Sequence, residues 1–206
     1  MYRDLTKRIV AVALSVCMIA GMVDLSGLTV RAAEAPWTIR TAEITVNNES
    51  SIVYNGQQQR PALTVVDEDG NALAQGTDYT LDYGTNINAG TNVGTVTITN
   101  AKDTTGEDKR DKTFTIAPKN ITGCQFSAIP LQEIASEGTP VKPPFTVQDS
   151  GVPADKQQLR GIEIQRDNDP VPAGYDYGYV YHNNTGATTT AQKAYIHIKG
   201  SGNYTG

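Results

Sequence analysis

From Thr38 onward, apolar side chains fall at every second position in short runs: Ile44 and Val46, Leu63 and Val65, Tyr79 with Leu81 and Tyr83, Val96 and Ile98, Phe114 and Ile116. A period of two is that of a strand with one buried face. The runs therefore predict strands over Thr38 to Val46, Ile52 to Tyr54, Leu63 to Val66, Tyr79 to Tyr83, Thr95 to Thr99 and Thr113 to Ile116. Polar residues and glycine separate them at Asn47 to Ser50, Asn55-Gly56, Asp67 to Asn71, Asn86 to Gly94 and Asn100 to Asp111, where turns or loops are expected. Short strands spaced by turn signals about every ten residues point to an all-β sandwich or barrel.

The pattern occurs twice. Gly76-Thr77-Asp78-Tyr79 returns as Gly174-Tyr175-Asp176-Tyr177, each followed by alternating apolar positions. Gly56, Pro61, Leu63-Thr64-Val65 and Asp67 meet Gly138, Pro143, Phe145-Thr146-Val147 and Asp149 at a constant separation of 82. From Gly76 and Gly174 to Asn86 and Asn184 the separation is 98, and Val96 and Ile98 meet Ile196 and Ile198 at 100. Three blocks in one order with two changes of spacing define an internal repeat. The 16 additional residues of the second copy are read as an insertion over about residues 151–166. The copies divide the chain into modules 33–117 and 118–206, with a short linker near Ala117-Pro118-Lys119. Because Gly206 aligns ahead of Lys112 to Ile116, the second module is expected to lack its last strand and the sequence to be part of a longer polypeptide.

The first 32 residues do not fit that pattern. Arg3, Lys7 and Arg8 precede an unbroken apolar run from Ile9 to Val23, and Val30-Arg31-Ala32 places small residues where a signal peptidase reads them. This predicts a cleaved secretion signal over 1–32. Fifteen apolar residues fall short of the roughly 20 that span a bilayer, so no membrane insertion is expected of the mature chain. That chain carries 13 Lys and Arg against 20 Asp and Glu, and its scattered basic residues give no footprint for nucleic acid or anionic lipid. Cys124 alone remains after cleavage; without an internal disulfide, packing must hold each module, and Cys124 is expected to be buried as a small apolar side chain.

Tyr54-x-Gly56, Pro61, Asp67-x-x-Gly70, Gly76-x-Asp78-Tyr79, Tyr83, Asn86, Ala89-Gly90 and Gly202-Asn203-Tyr204-Thr205-Gly206 resemble the immunoglobulin-like repeats of Gram-positive bacterial secreted and cell-surface proteins. The resemblance implies two tandem immunoglobulin-like β-sandwich modules. It further implies a non-catalytic stalk, spacer or adhesion role, on the cell surface through a downstream attachment region; the partner is not specified by the sequence, a cell-wall or host glycan or a protein being the classes considered. A carbohydrate-binding module, or an accessory region of a glycan or cell-wall hydrolase whose catalytic domain lies beyond residue 206, are the alternatives. The second copy departs from the pattern where Ser136 replaces Tyr54.

Candidate chemistry is sparse. No nucleophile elbow, phosphate loop or paired-histidine zinc motif occurs, so neither catalysis nor a cofactor is expected. His182 follows the tyrosine run, and His197 takes the position of Thr97. Asp67, Asp69, Asn71 and Asp78 offer the oxygens that calcium prefers, but Ala72 stands where a calcium loop wants glycine, so a hairpin turn is the expected reading. Tyr175, Tyr177, Tyr179 and Tyr181 alternate as a stripe that a sugar ring could stack on. Tyr177 and Tyr181 repeat Tyr79 and Tyr83 and are expected in the core. Tyr175 and Tyr179, which replace Thr77 and Leu81, are the candidate ligand-binding residues.

Overall fold

The structure is a computed structural model describing residues 37–133, 138–187, 189 and 192–206. The segment read as a secretion signal lies outside the described residues. The chain is all-β, and its only helices among the described residues are three-residue 3-10 turns. The first copy contains β1 (Glu43–Val46), β2 (Leu63–Val66), β3 (Tyr79–Tyr83), β4 (Gly90–Asn100) and β5 (Lys109–Ile116). The second contains β6 (Lys119–Asn120), β7 (Gln125–Phe126), β8 (Val147–Gln148), β9 (Gly161–Glu163), β10 (Tyr177–His182), β11 (Tyr195–Gly200) and β12 (Tyr204–Thr205).

The repeat is visible in the pairing. In the first copy β1 pairs antiparallel with β2, and β3, β4 and β5 form an antiparallel sheet. The second copy pairs β7 with β8 and β10 with β11 in the corresponding way. Among the described residues no strand flanks β11 as β5 flanks β4, and β11 is the edge of its sheet. Two expected boundaries move. β4 starts at Gly90, inside the stretch read as a loop, with a register shift between Gly90 and Gly94 that absorbs those polar residues. Ile52 to Tyr54 makes only an isolated bridge, Val53 to Ala117, in which the Tyr54 amide donates to the Ala117 carbonyl and the Ala117 amide to the Ile52 carbonyl.

Matching hydrogen bonds explain why the recurring residues recur. The Tyr83 hydroxyl donates to the Pro61 carbonyl at 2.5 Å, and the Tyr181 hydroxyl to the Pro143 carbonyl at 2.6 Å. Gly76 and Gly174 both have positive φ, which glycine adopts without strain. The Asp78 carboxylate accepts from the Ala74 amide, and the Asp176 carboxylate accepts from the Arg160 amide. Tyr79 and Tyr177 then enter the core at 3% and 4% exposure. Gly-x-Asp-Tyr is thus a turn that launches a core strand.

The same correspondences place the additional residues in two separate stretches. The bridge from Val66 to Ala72 corresponds to that from Gln148 to Gln158, so the spacing grows first within the turn after Asp149. Gln75 bridges Tyr79 in parallel, as Gly161 does Tyr177, so the larger gain lies between Gly161 and Tyr177. The first stretch forms the 3-10 turn Ala154–Lys156; the second extends β9 and crosses the sheet. Spacing alone sums the two gains into one insertion over about 151–166, whereas backbone pairing divides them between these stretches.

The two copies share one apolar core, which runs from Ile39 and Ala42 through Phe114 and Ile116 to Ile121, Cys124, Val147 and Tyr204. Cys124 is buried and free, and burial pushes its thiol up from the ordinary range. At the junction the Tyr54 and Tyr204 rings meet edge to face at 5.5 Å. Lys156 Nζ donates to the Gly56 carbonyl at 2.7 Å, and the Ala89 amide donates to Asn203 Oδ1 at 2.8 Å. Gly56 has a φ of 74°, and a Cβ there would stand 2.7 Å from Pro153 Cδ. No other residue fits that turn, which explains the Asn55-Gly56 signal.

Asp149, 2% exposed, holds the junction from the second copy. Its Oδ1 accepts from Lys119 Nζ at 2.6 Å and from the Gly151 amide at 2.8 Å, and its Oδ2 accepts from the Tyr204 hydroxyl at 3.1 Å. Burial pushes the carboxyl up, but Lys119, the Gly151 amide and Tyr204 more than offset it and leave the group below the usual carboxylate range. A carboxyl depressed in the folded state stabilises the fold above its unfolded value of about 4, and that contribution is lost as pH falls through the folded value. Asp149→Asn is expected to cost about 1–3 kcal/mol at pH 7. In thermal denaturation its deficit against wild type should narrow as the pH is lowered toward 3; a deficit that does not change with pH contradicts the assignment.

Candidate functional site

The hairpin β10–β11 presents two faces. Tyr177, Tyr179 and Tyr181 lie on one, beside Ile196 and Ile198 of β11, and form a ladder with Phe145: the Tyr179 ring meets Phe145 at 5.0 Å and Tyr181 at 5.7 Å, both edge to face. Burial pushes the Tyr177 hydroxyl up to about 12, with the neighbouring tyrosines and Asp176 adding to the shift. Of the two ligand candidates, Tyr179 is therefore a partly buried rung of this ladder. Tyr175 precedes the strand and lies beneath the Arg160 guanidinium at 5.4 Å from the ring centre, so the tyrosines do not form one exposed stripe.

The calcium candidates are committed to their own loops. Asp67 Oδ1 accepts from the Asp69 and Asn71 amides and from Asn71 Nδ2, which closes the hairpin turn. These bonds hold the Asp67 carboxyl below the usual range. Asp78 Oδ1 pairs with Lys102 Nζ at 2.7 Å while its Oδ2 takes the Ala74 amide. Asp69 and Asn71 complete the turn rather than converge with Asp78 on a cation-sized space.

The opposite face of the hairpin carries Gly178, Val180 and His182 on β10, with Tyr195, His197 and Lys199 on β11. His182 faces Tyr195 across the pair and Val180 faces His197, so the two histidines are diagonal neighbours, close enough for side chains to meet. The longer of the two additional stretches crosses this face. Ile164 donates its amide to the Tyr179 carbonyl at 2.9 Å, and Ile164 and Val171 close over Gly178, where a Cβ would stand 2.8 Å from Val171 Cγ2. Between them, Arg166 and Asp169 close a turn: the Arg166 amide donates to Asp169 Oδ2, and the Asp169 amide to the Arg166 carbonyl, both at 3.0 Å. Lys199 Nζ reaches the Asp169 carbonyl at 3.4 Å and ties the turn to β11.

That turn delivers Asp167 to the histidines. Asp167 Oδ1 lies 2.8 Å from His182 Nε2 and 2.9 Å from His197 Nδ1, and the three donor atoms fall within 4.8 Å of one another. The Tyr195 ring stacks on His182 at 4.6 Å with an interplanar angle of 11° and fixes its plane. The side chains of His182, Asp167 and His197 are 28%, 37% and 46% exposed, so the cluster opens to solvent. Hydrogen bonds from His197 first and His182 second hold the Asp167 carboxyl below the usual range. Beyond Tyr195, an open groove of about 1170 Å³ runs past Leu131, Val141, Tyr181 and Ile196.

Both histidines are legible in the sequence, and the cluster they form is not. Its readable signal was two histidines on consecutive strands at alternating positions, but their diagonal register and the arrival of Asp167 from an additional loop exist only in three dimensions. Compared with protein-family models, curated proteins and solved structures, the chain matches none, so its own geometry carries the functional reading. Carbon-detected NMR titration is expected to show Asp167 ionising below the usual carboxylate range. Replacing His197 with Ala should raise its pKa toward the ordinary value of about 3.9; an Asp167 midpoint that the replacement leaves in place contradicts the contact.

Proposed function

We propose that the chain is a non-catalytic extracellular module, two immunoglobulin-like β-sandwiches in tandem, that serves as a spacer or adhesion unit of a larger cell-surface protein. The observation that carries this reading is the junction: repeated strand-and-turn units share one core and are tied by Tyr54, Gly56, Asp149, Lys156 and Tyr204. Such a junction suits a part that must hold a neighbouring domain at a set distance and direction. The amino-terminal pattern of basic residues, an apolar run and Val30-Arg31-Ala32 supports export. Mass spectrometry of the protein from the producing cells is expected to find a chain beginning at Ala33, released by protease treatment of intact cells. Recovery solely from the cytoplasm with Met1 to Ala32 still attached overturns the reading.

Glycan binding is the second reading, favoured by the groove that Tyr195 borders at 53% exposure. It also keeps Tyr175, half-covered by Arg160, as a stacking ring. On a glycan array the chain is expected to retain a sugar ligand that Tyr195→Ala or Tyr175→Ala weakens at least tenfold. Signals that both variants leave unaltered exclude these rings as the platform.

A further inference from the structure

We propose that Asp167, His182 and His197 bind one divalent transition-metal ion, of the zinc class, with a coordination position left open to solvent. Donor chemistry selects the class. Two imidazole nitrogens and one carboxylate oxygen suit zinc, copper, nickel or cobalt, whereas calcium and magnesium require oxygen ligands throughout. Three protein ligands with a fourth position free is the arrangement of an open rather than a structural zinc site.

The spacing is close to what an ion needs. Ligand atoms about 2.0–2.1 Å from a tetrahedral zinc stand about 3.4 Å from one another. Here both nitrogens already lie 2.8–2.9 Å from the same Asp167 oxygen, and all three donors fall within 4.8 Å. A small withdrawal of the carboxylate and a small convergence of the rings admit the ion. No strand has to move, because the two histidines stand on hydrogen-bonded neighbours, Tyr195 holds the His182 ring, and the Arg166–Asp169 turn with Lys199 holds Asp167.

The comparison between copies singles out the same three residues. His182 takes the position of Gly84 and His197 that of Thr97, while Asp167 lies in the longer additional stretch, so the first copy has no counterpart of any ligand. A strand pair of this type folds in the first copy without them. The competing account is a metal-free clamp, in which the histidines merely fasten the added loop through hydrogen bonds to Asp167. The two accounts diverge on exposure to metal.

In the contacts to Asp167 both ring nitrogens act as donors, and each ring ligates a metal there once its proton sits on the other nitrogen. The full chain, prepared without a polyhistidine tag and stripped with a chelator, is titrated with zinc chloride by calorimetry and with cobalt chloride by visible absorption. One ion per chain is expected, with a rise in melting temperature on zinc addition and the visible bands of a low-coordinate cobalt site. His182→Ala and His197→Thr, the latter installing the first copy's residue, should each weaken zinc binding at least a hundredfold, and Asp167→Asn at least tenfold. Circular dichroism checks that each variant is folded, and the doubly substituted His182→Gly, His197→Thr chain gives a second readout that borrows residues the repeat already accepts. Absence of stoichiometric zinc binding, binding that survives in the double variant, or an equal response to calcium chloride overturns the proposal.

Discussion

The structure depends on a buried carboxylate. Asp149 stands at the turn between β8 and the following loop, almost wholly out of water, and joins Lys119 on β6, the amide of Gly151 and Tyr204 on β12. An ionised carboxylate in such a place is costly unless its oxygens are fully engaged. Three donors meet that condition, and each comes from a different part of the second copy. Closing the second copy and seating it against the first use the same segment: Tyr204 of β12, anchored by Asp149, packs its ring on Tyr54, and Asn203 just before β12 accepts the Ala89 amide.

From that junction the two copies diverge in a way that separates structural from functional positions. What they share is the hardware of the fold: the positive-φ glycines, the aspartate that closes the Gly-x-Asp-Tyr turn, the tyrosine hydroxyl that ties β3 or β10 to a proline carbonyl, and the alternating apolar side chains. What only the second copy has is concentrated around β10 and β11. Extra rings fill a ladder on the inner face, and an added loop covers the outer face and carries Asp167 to His182 and His197. Once the common strands meet the demands of folding, such additions are free to carry chemistry.

Two glycines of this sheet permit close approach, one on each face. Gly178 lets Ile164 and Val171 approach the sheet, and Gly161 leaves room for the Tyr177 ring, whose Cζ would lie 2.2 Å from a Cβ at that position. Close approach of a covering segment places its polar turn directly above the strand residues beneath. The cluster of one carboxylate and two imidazoles is therefore a product of how tightly the loop lies on the sheet.

The alternation of apolar residues, the turn formers and the repeat spacing determined by themselves that the chain is all-β, that it holds two related units, and that Gly56, Gly76 and Gly174 mark turns. These are local properties, set by side-chain period and by backbone angles that few residues adopt, and they can be read from neighbours in sequence. The Asp67 turn was equally legible, because aspartate and asparagine bond to amides within a few residues. Only the tertiary structure decided that the added residues form two stretches, that Tyr179 packs on Phe145 while Tyr175 remains under Arg160, and that Asp167 meets His182 and His197. Each of those outcomes depends on strand register and on which face a crossing loop covers. Both are fixed by burial summed over distant segments, so no residue's immediate neighbours reveal them.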